Sequence, residues 1–246
     1  MKLLIDAGNT RIKWALVDAN DWVRSGTLPA EQASELPQQF PEALDIQQIW
    51  ASNVAGADVA KHIRNINGGK SVQLRFVVAK EAQCGVHNGY SNASQLGSDR
   101  WAALIGAWHL VKGKCLVVNS GTATTIDTLS EHGKFLGGLI LPGVELMQRN
   151  LVAATVQLKS EQGEYVPFPL NSADALYSGS IQASCGAIER QYTLLDDDSA
   201  PVILSGGAAG LLQPYLDKKR FGAPPRIVDN LVLQGLLLIA QKADAQ

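Results

Sequence analysis

The chain has 246 residues, of which 46% are hydrophobic and 18% charged, with a formal net charge of −2. That is apolar material for a substantial core, in one large domain or two halves of ordinary size. It leaves no overall excess of positive charge to hold a phosphate polymer, so nucleic acid is not expected as the principal partner. Three widely spaced cysteines, Cys84, Cys115 and Cys185, fit neither a zinc pattern nor a disulfide framework and point to a reducing, cytoplasmic setting. Asp6 interrupts the first apolar run too early for a secretory signal. The apolar stretch at 231–240 is too short to span a bilayer, so no membrane association is expected.

Residues 2–6 read as an apolar strand, and Ile12, Trp14 and Leu16 alternate with their neighbours as a second strand does. Ala7-Gly8-Asn9-Thr10 between them is rich in turn residues. Further strands are expected at 48–52 and 72–78, with a helix at 59–66 between them. Trp101, Leu104, Ile105 and Trp108 fall at i, i+3, i+4 and i+7, one buried helical stripe, with Ser98 as its expected N-cap and Gly113 as its stop. A second half then restarts the first. It opens with a strand at 115–118, a turn at 119–123 and a strand at 124–129. Another strand follows at 134–141, then a helix entered through Pro142-Gly143, a loop at 159–171 and a long helix at 172–195. A strand at 201–204 ends in Ser205-Gly206-Gly207, and a helix at 230–240 closes the chain. The division expected is a first half at 1–113 and a second at 114–246, each α/β.

Asp6-Ala7-Gly8-Asn9-Thr10 and Asn119-Ser120-Gly121-Thr122-Ala123 match in position. Each ends one strand and precedes another, with glycine two places after a polar leader. Such turns suit polyphosphate: the backbone can approach anionic oxygens, and Thr and Asn add donors. Asp6 is a candidate for holding Mg²⁺, usually through water, and Lys13 is placed to reach a terminal phosphate. Neither turn is a Walker A loop. One such turn alone would be an ordinary hairpin; two at matched positions argue for a duplicated unit. Gly206-Gly207 offers bare backbone against which adenine or ribose can lie. The four histidines have no metal-ligand spacing.

With these pieces in order, the chain resembles the acetate and sugar kinase/Hsc70/actin superfamily, and within it the type III pantothenate kinases. The resemblance is carried by residues 6–14, Asn88-Gly89-Tyr90, Gly97-Ser98-Asp99-Arg100-Trp101 and Gly121-Thr122-Ala123-Thr124. Gly137-Gly138, Pro142-Gly143 and Ser205-Gly206-Gly207 extend it. It implies two ribonuclease H-like halves with a nucleotide cleft between them, and ATP-dependent phosphorylation of pantothenate to 4′-phosphopantothenate. It implies that Asp6, Ala7, Gly8, Asn9, Thr10, Arg11, Ile12, Lys13 and Thr122 hold ATP with Mg²⁺. It further implies that Tyr90, Gly97, Ser98, Asp99 and Arg100 shape the pantothenate pocket, with Asp99 as proton acceptor and Ser172 in place of a substrate-binding Thr. A homodimer and a monovalent cation, K⁺ or NH₄⁺, are implied as well. Asn119 stands where the family usually has an Asp linked to potassium, which puts that cation site in doubt. Asp127 is a nearby source of charge. A kinase for another small hydroxylated substrate, or a nucleotide-binding regulator of the same fold, are the alternative readings.

Overall fold

The computed structural model describes residues 1–40, 45–67, 72–155, 157–159, 161–216 and 220–245. Its elements fall into two compact units, one of residues 1–110 with 230–246 and the other of residues 111–229.

In the first unit, β1 (Lys2–Ala7), β2 (Arg11–Asp18) and β3 (Asp21–Pro29) form an antiparallel meander. Strands β4 (Gln48–Asn53) and β5 (Gln73–Phe76) add to the other edge in parallel, giving the order β3-β2-β1-β4-β5. Helix α1 (Ala57–Arg64) makes the parallel crossover, preceded by 3₁₀ turns over Ala30–Gln39. Val59 and Ile63 of α1 seal a core with Leu3, Ile5, Trp14, Leu16 and Ile49. A short hairpin of β6 (Ala82–Gln83) and β7 (Val86–His87) leads to α2 (Ser98–Val111).

The second unit repeats the plan. Strands β8 (Cys115–Ser120), β9 (Ala123–Leu129) and β10 (Phe135–Pro142) form the meander, followed by α3 (Val144–Ala154) and α4 (Ser172–Leu195). Strands β11 (Val202–Ser205) and β12 (Arg226–Ile227) complete the order β10-β9-β8-β11-β12. Between them lies α5 (Ala209–Leu212), a single helical turn. Leu116, Val118, Ile126, Ile181, Cys185, Ile188 and Tyr192 share the core of this unit. The two sheets therefore have one topology: a three-stranded meander with two parallel strands on the far side of its first strand.

Three expectations need correction. The second half does not run from 114 to the C-terminus as one unit: α6 (Leu231–Asp244) belongs with the first unit and contacts β1 and β4. Its apolar residues Leu231, Val232, Leu233, Leu236 and Ile239 are buried. The expected single stripe of α2 is also too narrow, because every residue from Arg100 to Ala107 is buried. Ser98 does not cap α2. The amide of Trp101 donates to the Gly97 carbonyl at 2.9 Å, which puts Gly97 at the cap position, and the Ser98 hydroxyl is hydrogen-bonded to Ser52 Oγ at 2.9 Å.

Candidate active site

The first candidate phosphate turn closes where β1 and β2 separate. Asp6 is paired with Lys13 and Ala7 with Ile12 across the strands, and the Gly8 amide donates to the Arg11 carbonyl at 3.1 Å. Asn9, Thr10 and Arg11 are exposed beyond it, whereas Ala7 and Ile12 turn their side chains into the core. Ala7 and Ile12 thus position the turn, and any ligand is left to the residues around them. The second turn repeats this with one residue fewer. Ser120 pairs with Thr124, and the Gly121 amide donates to the Ala123 carbonyl at 2.9 Å. In both turns the glycine amide is spent on closing the bend, and neither Gly8 nor Gly121 has a left-handed backbone. Donors for an anion must come from the residues that follow.

Register makes the equivalence specific. Asp6 corresponds to Asn119 and Lys13 to Thr125, since Asn119 pairs with Thr125 as Asp6 does with Lys13. A charged pair in the first unit is a neutral pair in the second. Thr125 Oγ1 is buried without a hydrogen-bond partner among the described residues, and Asp127, two residues along β9 and so on the same face of the strand, is 2% exposed.

The C-terminal ends of β1 and β4 and the N-terminus of α2 gather the other candidates of the first unit. On β4, Ser52 is the register partner of Asp6 and holds the Ser98 hydroxyl. The neighbouring Asp99 interacts with Asp6 through space: burial first, and then the Asp99 charge, push the Asp6 carboxyl up to about 7 against the opposing pull of Lys13. Asp99 Oδ1 accepts from the Arg100 amide at 2.8 Å. A Cβ on Gly97 would come within 2.7 Å of that same oxygen, so the glycine leaves room for the carboxylate to fold over the helix start. Arg100 is not the surface arginine its type suggests. It is 5% exposed and donates through Nη1 to the Tyr90 hydroxyl at 3.1 Å, with its guanidinium 5.9 Å from the ring centre. Asn88 Oδ1 in turn accepts from the Tyr90 amide at 3.0 Å. Asp6, Lys13 and Asp99 form one electrostatic group; Tyr90 and Arg100 form a second, joined to it through the Asp99–Arg100 peptide.

In the second unit, Gly206 (φ +94) lies against the second turn. A Cβ there would sit 2.6 Å from Asn119 Oδ1 and against the Ser120 carbonyl, which accepts from the Ala208 amide at 3.0 Å. Gly143 backs the same turn: its amide donates to the Thr122 carbonyl at 2.8 Å, and a Cβ would collide with the carbonyl of Gly121. Gly207 and Ser172 are exposed, Ser172 as the first residue of α4, whose cap is Asn171. Sequence reasoning missed Ser52 and Thr125. Nothing marks an ordinary strand Ser or Thr until register places it beside Asp6 or Asn119.

Among the described residues no group of three or more His, Cys, Asp or Glu could cage a metal. Asp6 suits a different arrangement, an ion carried mainly by phosphate oxygens and water with one protein carboxylate beside it. The neutral donors at Asn119 and Thr125 suit a weakly held monovalent cation, with Asp127 the nearby acidic residue.

The family model described as type III pantothenate kinase matches residues 2–194. The type III pantothenate kinase of Nitrosospira multiformis is 44% identical over 243 residues, covering 98% of this chain and 91% of that one. That of Aromatoleum aromaticum is 44% identical over 243 residues, covering 98% of each. Among solved structures, a protein described as a Baf family transcriptional activator from Campylobacter jejuni superposes with a TM-score of 0.63 at 24% identity, covering 99% of this chain and 100% of that one. A protein described as a 2-dehydro-3-deoxygalactonokinase from Sinorhizobium meliloti gives 0.63 at 13% identity, covering 98% and 96%. These two likenesses establish the fold, that of the actin and sugar kinases with two similar α/β halves. Over nearly its whole length, this chain belongs to the type III pantothenate kinase family.

Proposed function

We propose that the protein transfers the γ-phosphoryl group of ATP to the primary hydroxyl of pantothenate, giving 4′-phosphopantothenate at the start of coenzyme A synthesis. The observation that carries this reading is the coupling of Asp6 to both Asp99 and Lys13, which sets a candidate base beside a candidate phosphate turn. Phosphoryl transfer asks a protein mainly for alignment and charge neutralisation. Lys13 neutralises the terminal phosphate, and Asn9, Thr10 and Thr122 are the donors offered to phosphate oxygens. Gly206 and Gly207 receive the adenosine. Mg²⁺, when bound near Asp6, spreads charge away from the transferring group. Asp99 accepts a hydrogen bond from the attacking hydroxyl and takes its proton late. Arg100, buried and oriented by Tyr90, holds the pantothenate carboxylate, a pairing suited to a guanidinium. Ser172 contributes a hydroxyl to the same substrate.

The working enzyme is a cytoplasmic homodimer. Leu136 and Ile140 on β10, Leu151 on α3, and Phe168 and Leu170 beyond it are 48–99% exposed on the second unit, apolar side chains that a subunit contact would cover. No helix among the described residues is long and apolar enough to cross a membrane. A monovalent cation at Asn119 would act through neutral oxygens. A substrate panel tests the proposal: ADP release coupled to ATP must require pantothenate. Phosphorylation of a sugar or organic acid in its stead would replace the substrate, and nucleotide binding without turnover would favour a regulator.

A further inference from the structure

A groove of about 720 Å³ opens in the first unit, and none of Asp6, Lys13, Tyr90, Asp99 or Arg100 lines it. Its walls are the end of β5 and the segment after it, the β6–β7 hairpin, Trp50 of β4 and the last turns of α6. Three cations, Arg75, Lys80 and Lys242, line it together with His87, and no Asp or Glu does. In a chain of net charge −2, a carboxylate-free cationic concavity is a local inversion of sign, which concentrates anions. The nearest acids do not cancel it. Glu81 lies outside the lining, and Asp244, which feels Arg75 weakly, is held by Lys2 at 2.8 Å and by Gln48 at 2.9 Å. Among the described residues no ion pair engages Lys80 or Lys242.

The groove is also built. Arg75 is oriented by Trp50, its guanidinium 4.9 Å from the ring centre. The hairpin wall is fixed from behind by two tryptophans of α2: Gln83 Oε1 accepts from the Trp101 indole at 3.0 Å, and Gly85 (φ +85) lies so close to Trp108 that a Cβ would come within 2.7 Å of its Nε1. Phe76, Val86 and Ile239 supply apolar surface between the cations. A concavity of this volume, with polar and apolar surface side by side and a few placed charges, is of the size that small ligands occupy.

We propose that this groove is a second ligand site, distinct from the catalytic one, for a small phosphate-bearing organic anion with a compact apolar body. The phosphate is held between Arg75, Lys80 and Lys242, and the body lies against Phe76 and Val86. The site does not rest on the kinase reading, since it shares no lining residue with that machinery.

Cys84 supplies a reporter, because it lines the groove and is partly exposed whereas Cys115 and Cys185 are buried. Alkylation of the intact protein by iodoacetamide, a neutral reagent, is followed by mass spectrometry of the Cys84 peptide. The probe is inorganic pyrophosphate, with potassium chloride at matched ionic strength as control. Pyrophosphate is expected to slow Cys84 alkylation several-fold in the wild type and to lose that effect in a Lys80→Glu/Lys242→Glu variant. If the double reversal fails to fold, Lys242→Gln alone must weaken the protection. Equal rates with pyrophosphate and chloride would overturn the proposal. So would protection that survives loss of the lysines, because it would then come from pyrophosphate at the phosphate turns.

Discussion

Burial and the charge of Asp99 both disfavour the ionised form of Asp6, with Lys13 opposing them. The folded value of about 7 lies above the ordinary 3.8, so between those limits the native state holds a proton that the unfolded chain has released. Stability of the nucleotide-free protein must therefore fall as pH rises from about 4 to about 7 and level off above it. Asp6→Asn removes that slope. The variant is expected to match the wild type in urea unfolding near pH 4 and to exceed it at pH 8 by on the order of 4 kcal/mol, while losing affinity for ATP. A variant no more stable at pH 8 would show that the carboxylate is not under strain. At the equivalent position of the second unit, Asn119 gives an amide oxygen but no charge. Asn119→Asp is expected to deepen the dependence of turnover on K⁺ or NH₄⁺. Superimposable cation titrations for the two proteins would detach the cation from this residue.

At the scale of elements, glycines decide how closely helices and turns approach. Gly235 of α6 meets α2 so tightly that a Cβ would lie against the Ala102 carbonyl, and a Cβ on Gly106 would come within 2.8 Å of the Leu231 carbonyl, too close to fit without a shift. Gly235→Ala is expected to cost about 2 kcal/mol, read as a lower urea midpoint at unchanged slope; an unchanged midpoint would mean that the two helices can part freely. Most elements were legible in the chain: the 2–6 and 12–17 strands, the 48–52 strand and the 172–195 helix carry clear periodicity. Strand β3 was not, because its residues from Asp21 to Ser25 are all exposed and no alternation survives where neither face is buried. The β6–β7 hairpin was also missed, being two residues a side. The membership of α6 was unreadable for a different reason. An apolar helix shows that it will be buried, but only tertiary packing says against which sheet. The site divides in the same way. The turns and the Gly97–Arg100 run stood out as residue types in order, whereas the roles of Ser52 and Thr125 exist only through strand register.

The whole molecule is a duplicated plan whose copies have diverged in chemistry. Both units carry the same strand order and the same glycine-closed turn, but acid and lysine face each other in one, amide and hydroxyl in the other. One unit sets a charged pair behind its turn and the other a neutral pair. The second unit carries exposed apolar side chains on β10 and α3, and, if these form the proposed dimer contact, Ile140→Asp is expected to give a monomer in sedimentation velocity. A variant that sediments as the wild type does would remove this face from the proposed dimer. Conversion of pantothenate and ATP by Asp99→Asn, followed by ³¹P NMR with nucleotide affinity measured on the same sample, tests the catalytic account most directly. Product formation should fall by about 10²–10⁴-fold while ATP affinity stays close to wild type. Undiminished product formation would remove Asp99 as the proton acceptor and leave its coupling to Asp6 without a catalytic purpose.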